Sequence, residues 1–299
     1  MCYSLHPATR THFPGSAPSS PTDDPRMPLI SITDLNDARL DPYRSLKLSN
    51  QTRSTGHLIA EGHRVVRRLV ESDFAVDSIL VTERRQHMIE GIAPERYAIY
   101  VVPDGLANQL VGFEFHGGVV AAGKRRESPS ISEWLPAESP VAELVVVCPR
   151  ITDPDNLGTL IRLCVGFGVR ALILGPGSTD PFSRRVLRVS MGHAFFLPIM
   201  QADDLTPPLM ALRKQHRFRF LATVLDETAT PLDQLPFGGE DAGSSSRVGL
   251  LFGNEADGLD PAWVSFCDQR ITIPMGPLAD SLNVSVAAGI FLHWFRGRA

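Results

Sequence analysis

Leu250-Leu251-Phe252-Gly253-Asn254-Glu255-Ala256-Asp257-Gly258-Leu259 is an apolar run that stops abruptly in a polar turn bracketed by glycines. The run, with Val248 before it, offers no polar face to water and therefore reads as a strand covered on both sides. Gly253 and Gly258 permit positive φ or close backbone approach where the turn begins and ends. A buried strand that ends in such a turn delivers Asn254 and Glu255 to the carboxyl edge of a parallel sheet, where open α/β folds bind ligands.

Working outward, AELVVVCP (142–149) and VRALILG (169–175) repeat the pattern of short runs that are apolar on both faces, and FRFLATVLD (218–226) is a third. QRITIPM (269–275) reads as an edge-like strand. Helices are predicted from about Gly158, over SRRVLRVSMGHA (183–194), and over SLNVSVAAGIFLHWF (281–295). Strands alternating with helices predict a parallel-sheet α/β domain over residues 141–299. GGEDAGSSSR (238–247) reads as an exposed polar loop.

A smaller α/β domain is predicted over residues 27–126. HLIAEGHRVVRRLVESD (57–73) places Val65, Val66, Leu69 and Val70 at helical spacing with arginines opposite, and VDSILVT, YAIYVVP and GGVVAAG read as strands. The three prolines of SPSISEWLPAESP predict a linker over 127–140. Residues 1–26, rich in Pro, Ser and Thr, bury too little apolar surface to offset their ordering and are expected to be a dispensable disordered tail, with Met27 as an alternative start.

The charge balance is uneven. The net charge of −4 conceals a basic stretch over 44–126, with 12 basic and 9 acidic side chains, ahead of an acidic remainder. That asymmetry is compatible with an RNA partner and does not demand one. Cys2, Cys148, Cys164 and Cys267 are scattered without a CxxC pair, which predicts reduced thiols in a cytoplasmic compartment and argues against a zinc site. No apolar run is long enough to span a bilayer and no secretory signal is visible.

Three segments of the larger domain carry candidate chemistry. Asn156-Leu157-Gly158-Thr159-Leu160-Ile161-Arg162 opens a helix after a strand, with Asn156 placed to cap it. The second segment is Leu250–Leu259. The third is Ile273-Pro274-Met275 followed by Asp280-Ser281-Leu282-Asn283-Val284-Ser285-Val286-Ala287, where Ser281 and Asn283 offer oxygens beside the free N–H groups of a helix start. Singly, each has an ordinary explanation: a helix cap, a solvated arginine, an exposed glutamate.

In this order and spacing the three segments resemble the three motifs of the SpoU family, within the SPOUT superfamily of S-adenosylmethionine-dependent RNA methyltransferases. The resemblance covers about 141–299, and the preceding segment resembles the ribosomal-protein-like substrate-binding domain found in front of many members. It implies an α/β domain whose C-terminal segment forms a trefoil knot, an exception to the usual connection rules. It implies S-adenosylmethionine as cofactor, held by Thr223, Phe252, Gly253, Asn254, Ile273, Met275, Ser281 and Leu282. It further implies Arg162, Asn156, Glu255, Ser281 and Asn283 as catalytic residues, no metal, an RNA partner with ribosomal RNA favoured over tRNA, and a homodimer with the site near its interface. A guanidinium stays protonated, so Arg162 suits a clamp on a phosphate and the emerging alkoxide, with Glu255 orienting it. Arg53, and Arg184 and Arg188 four residues apart on a predicted helix, are candidate phosphate contacts.

Rival readings are a nicotinamide-dependent oxidoreductase, a non-catalytic RNA-binding protein that keeps the fold, and a base-methylating enzyme of the same superfamily. GPGSTD (175–180) lacks the GxGxxG spacing of the first, the intact motif residues speak against the second, and SLNVSVA favours ribose over base.

Overall fold

The computed structural model describes residues 29–44, 46, 56–90, 92, 97–135, 143–235, 247–276 and 278–296. The expected tail over 1–26, the candidate Arg53 and most of the polar loop at 238–247 lie outside the described residues.

The first sheet comprises β1 (Ile30–Ser31), β2 (His57–Glu61), β3 (Val76–Thr82), β4 (Ala98–Val102) and β5 (Val119–Lys124), in the order β1-β4-β3-β5-β2. Helices α1 (His63–Glu71) and α2 (Asp104–Val111) accompany it. Residues 57–61 are a strand, not the front of the helix that the valine spacing suggested. Leu58, Ile59 and Ala60 are consecutive and all buried, a pattern that suits pairing with β5 and not a helical stripe.

The second sheet is wholly parallel and seven-stranded. Its strands are β6 (Glu143–Cys148), β7 (Ala171–Leu174), β8 (Ile199–Gln201), β9 (Arg219–Thr223), β10 (Thr230–Pro231), β11 (Arg247–Leu251) and β12 (Gln269–Thr272), in the order β10-β12-β9-β11-β6-β7-β8. The short β10 covers β12, which is therefore not the outermost strand. Val145, Val146 and Val147 are completely buried because both faces are covered; each such side chain stabilises the domain by about 1.5–3 kcal/mol. One face packs against α4 (Pro154–Phe167), α5 (Arg184–Val189) and α8 (Val284–Phe295). The other packs against α3 (Ile131–Trp134), α6 (Thr206–His216) and α7 (Pro261–Phe266).

The stretch expected to be a linker is thus partly structural. Ser130 and Glu133 form a capping box on α3, and Trp134 and Leu135 are buried against the sheet. The two domains also touch through the segments that flank their sheets. Arg125 makes a two-pronged pair with Asp180 at 2.6 and 2.8 Å, and Phe74 packs on Phe182 and Phe195.

After β12 the chain does not continue outward. Residues 273–276 and 278–283 bring the chain back from β12 to start α8 beside α4, which follows β6. This return brings the third segment to the first two.

Candidate active site

Each segment reaches the site for a local reason. Asp153 caps α4, its carboxylate accepting from the N–H groups of Asp155 and Asn156, and Pro154 occupies the first helical position. Asn156 is therefore not the cap that the sequence suggested; it stands inside the first turn, with its side chain released for other work. The Asp-Pro pair was the signal that would have shown this. At the end of β11, Asn254 and Gly258 exchange two backbone hydrogen bonds of 2.8 and 3.0 Å, closing a tight loop. A Cβ on Gly253 would lie 2.2 Å from the Gly258 carbonyl carbon, and Gly258 has φ +70°, so both positions require glycine. Asn283 caps α8, accepting from the Ser285 N–H at 2.8 Å.

The three segments meet at Asn156, which joins the Glu255 carboxylate to the start of α8. Glu255 Oε1 accepts from the Asp153 N–H at 3.1 Å and from Asn156 Nδ2 at 3.2 Å. Its Oε2 accepts from Asn254 Nδ2 at 3.1 Å and more loosely from the Thr152 N–H and hydroxyl at 3.4 and 3.3 Å. Asn156 Oδ1 in turn accepts from Asn283 Nδ2 at 2.9 Å, and the Ser285 hydroxyl donates to the Asn156 carbonyl at 3.0 Å. Burial alone would raise the Glu255 carboxyl, but hydrogen bonds from backbone N–H groups and from Asn156 outweigh it and hold the group below the usual carboxylate range. Asn156, Glu255 and Asn283 are thus brought together as expected. Thr152, Asp153 and Ser285 complete the junction and were not anticipated as site residues.

Arg162 is not part of this junction. It lies six residues beyond Asn156 on α4, which at about 100° per residue turns its side chain some 120° away and about 9 Å along the axis. Glu255 therefore does not orient Arg162, contrary to the expectation; its carboxylate is occupied by Asn156 and the Thr152–Asp153 amides. Arg162 is exposed and has no hydrogen-bond or ion-pair partner among the described residues.

Arg184 and Arg188 are placed differently from the phosphate contacts expected of them. The Arg184 guanidinium lies 3.3 Å from Glu61 of β2 and over the Phe113 ring, 4.9 Å from its centroid, while Arg188 is 3.7 Å from the same Glu61 oxygen. A single carboxylate is shared by the pair, offsets one of the two charges and ties α5 to the first sheet. Arg185, between them, pairs with Asp155 at 2.6 Å.

The proposed cofactor positions lie around the strand ends. Thr223 terminates β9 and donates to the Leu251 carbonyl at 2.8 Å. Phe252 points into the core, against Phe291, so only its backbone faces the edge. Ile273 and Met275 are half-buried, and Ser281 and Leu282 are exposed. The backbone N–H groups of Gly253, Ile273, Met275 and Leu282 make no hydrogen bond among the described residues. Free amides beside half-buried apolar side chains fit a nucleoside with an apolar ring and polar edges. Burial pushes the Cys148 and Cys164 thiols up, so neither supplies a thiolate near neutral pH. Among the described residues no group of three or more His, Cys, Asp or Glu could hold a metal ion, and no helix is long and apolar enough to cross a membrane.

A doubly covered parallel sheet with a polar junction and free amides at its carboxyl edge defines an α/β protein of the nucleotide-handling kind. Residues 143–293 match the SpoU rRNA Methylase family, and the chain belongs to it. An uncharacterized tRNA/rRNA methyltransferase of Mycobacterium bovis is 34% identical over 267 residues, spanning 88% of this chain and 90% of the relative. The 23S rRNA (guanosine-2′-O-)-methyltransferase RlmB of Acinetobacter baylyi is 31% identical over 215 residues, 71% of this chain and 83% of the relative. Among solved structures, the AdoMet-bound rRNA methyltransferase of Sinorhizobium meliloti superimposes with a TM-score of 0.72 at 25% identity, covering 90% of this chain and 97% of that one.

Proposed function

We propose that this chain transfers the methyl group of S-adenosylmethionine to a ribose 2′-hydroxyl of ribosomal RNA. The observation that carries the reading is the junction of Asn156, Glu255 and Asn283, which draws three segments distant in sequence to one point at the sheet edge. The RlmB relative, named for 2′-O-methylation of 23S rRNA, supports both the ribose and the ribosomal assignment.

When bound, S-adenosylmethionine supplies a methyl carbon on a positively charged sulfonium. The amides of Gly253, Ile273, Met275 and Leu282 would hold it, with Thr223, Asn254 and Ser281 at the rim. What the chain itself contributes is alignment, because an in-line displacement gains most from fixed geometry. Asn156, bonded to Glu255 on one side and to Asn283 on the other, holds the loop and the α8 start in register, so that the nucleotide and the cofactor pocket keep a fixed separation. Arg162 stabilises the phosphate and the developing alkoxide, while the hydroxyl proton leaves to water.

The protein acts as a homodimer in the cytoplasm, where its RNA resides. Val286 and Ile290, one turn apart on α8, are 53 and 39% exposed, and Leu282 just before the helix is 37% exposed, an apolar patch of the kind that a second copy covers. Dimerisation also offers the exposed Arg162 a place beside a partner's junction, from which its own junction is turned away. Arg162→Ala tests the assignment. Methyl transfer should fall at least a hundredfold while calorimetry shows S-adenosylmethionine binding unchanged; retained turnover would remove Arg162 from the reaction.

A further inference from the structure

Basic groups from other elements lie near Arg162. It interacts electrostatically with Arg68 of α1 and with His193 in the turn after α5, and Arg68 interacts in turn with Arg64, one helical turn earlier. The two domains are in close contact here. Arg68 Nη1 donates to the Met191 carbonyl, and a Cβ on Gly192 would come within 3.2 Å of Arg68 Cβ and 3.3 Å of the Val65 Cα. Met191 is held at φ +56°, an uncommon conformation for a non-glycine residue. The His193 ring donates from Nδ1 to the Ser190 carbonyl at 2.7 Å, so its 3.4 Å approach to Arg68 Nη1 sets donor against donor.

Among the described residues one carboxylate acts on Arg68, and it is shared. The carboxylate that acts on Arg68 is Glu71, and Arg67 already engages it at 2.8 Å. Gathering three guanidiniums and an imidazole around a single carboxylate that Arg67 also engages is unfavourable, and a bound polyanion removes the cost.

We infer that Arg64, Arg68, His193 and Arg162 form a seat for a backbone phosphate of the RNA, built jointly by the two domains. The inference rests on the methyltransferase reading for the identity of the anion. It makes α1 a positioning element that holds the strand so that the target ribose stays beside Arg162, without reading sequence.

The test uses the full chain, labelled fragments of total ribosomal RNA, and Arg64→Gln and Arg68→Gln singly and together. Each phosphate contact contributes about 0.7–0.9 to the slope of log affinity against log salt. The double variant should therefore lose about one to two units of slope and bind RNA about tenfold more weakly at moderate salt. A merely structural role would not move the slope, and S-adenosylmethionine affinity should stay unchanged. Arg64 is exposed, so Arg64→Gln alone keeps the test decisive should Arg68→Gln unfold the contact. Unchanged RNA affinity and slope in the folded variants would overturn the inference. Wild-type protein that binds S-adenosylmethionine but no RNA would instead overturn the methyltransferase reading, and the seat with it.

Discussion

Glu255→Gln keeps the shape of the side chain at the three-segment junction and removes its charge. In the wild type one oxygen serves Asp153 and Asn156, and the other serves Thr152 and Asn254. A glutamine amide can satisfy only one of these groups with its oxygen; its NH2 then faces the Thr152 N–H and the Asn254 amide, donor against donor. Hydrogen bonds to a charged acceptor contribute about 1.5–3 kcal/mol each where water is excluded. Here the side chain is exposed and the bonds are long, at 3.1–3.4 Å. The set is therefore worth about 1–2 kcal/mol in all. Urea denaturation should show a lower midpoint at unchanged slope, and methyl transfer should fall about tenfold as loop and helix lose register. The pH dependence gives a second signature. Because the native carboxyl lies below its ordinary 4.5, its contribution is complete above that value and is lost as pH falls through the lowered native one. Glu255→Gln should abolish this acid dependence. A variant with unchanged midpoint, turnover and acid profile would refute the claim that the junction organises the site.

Asn156→Asp should be more damaging than Asn156→Ala, because it sets a second carboxylate about 3 Å from Glu255; equal effects in turnover assays would mean that Asn156 serves only as a helix residue. If the proposed dimer forms through α8, Val286→Glu with Ile290→Glu should leave a monomer by sedimentation and abolish turnover, and a dimer that persists would place the interface elsewhere. His193 should titrate below 6.5, chiefly through burial and further through Arg68 and Arg162, against the Ser190 carbonyl that favours its charged form. Its contribution to stability is then full above 6.5 and declines as pH falls through the native value. Arg68→Gln should move the NMR titration of His193 upward, and no movement would place Arg68 too far away to matter.

The strand–helix alternation of the larger domain was legible because its strands are apolar on both faces, so AELVVVCP and RVGLLF declare themselves without context. What escaped had a weaker or contrary signal. β2 is hard to separate from the following helix because the apolar run Leu58–Ala60 is short and only four residues separate it from the helical pattern of Val65–Val70. β8, with three residues, and α7, with six, are too short for periodicity to register. Within the site, the residue types at the junction could be read, but their partners could not. Whether Glu255 faces Arg162 or Asn156 depends on the rotation of α4, which Asp153 and Pro154 set at its first turn. The pairing of Arg184 and Arg188 with Glu61 depends on contact between the two domains, about which spacing along one helix says nothing.

The most direct test of the central claim is to incubate the full chain with methyl-tritiated S-adenosylmethionine and unmodified ribosomal RNA, then digest the RNA with alkali. Methylation at O2′ blocks cleavage at the adjoining phosphate, so the account predicts label in alkali-resistant dinucleotides, lost with Arg162→Ala. Label recovered in mononucleotides would mean methylation of a base, and no label, from protein that binds both cofactor and RNA, would mean that the fold has been kept without the reaction.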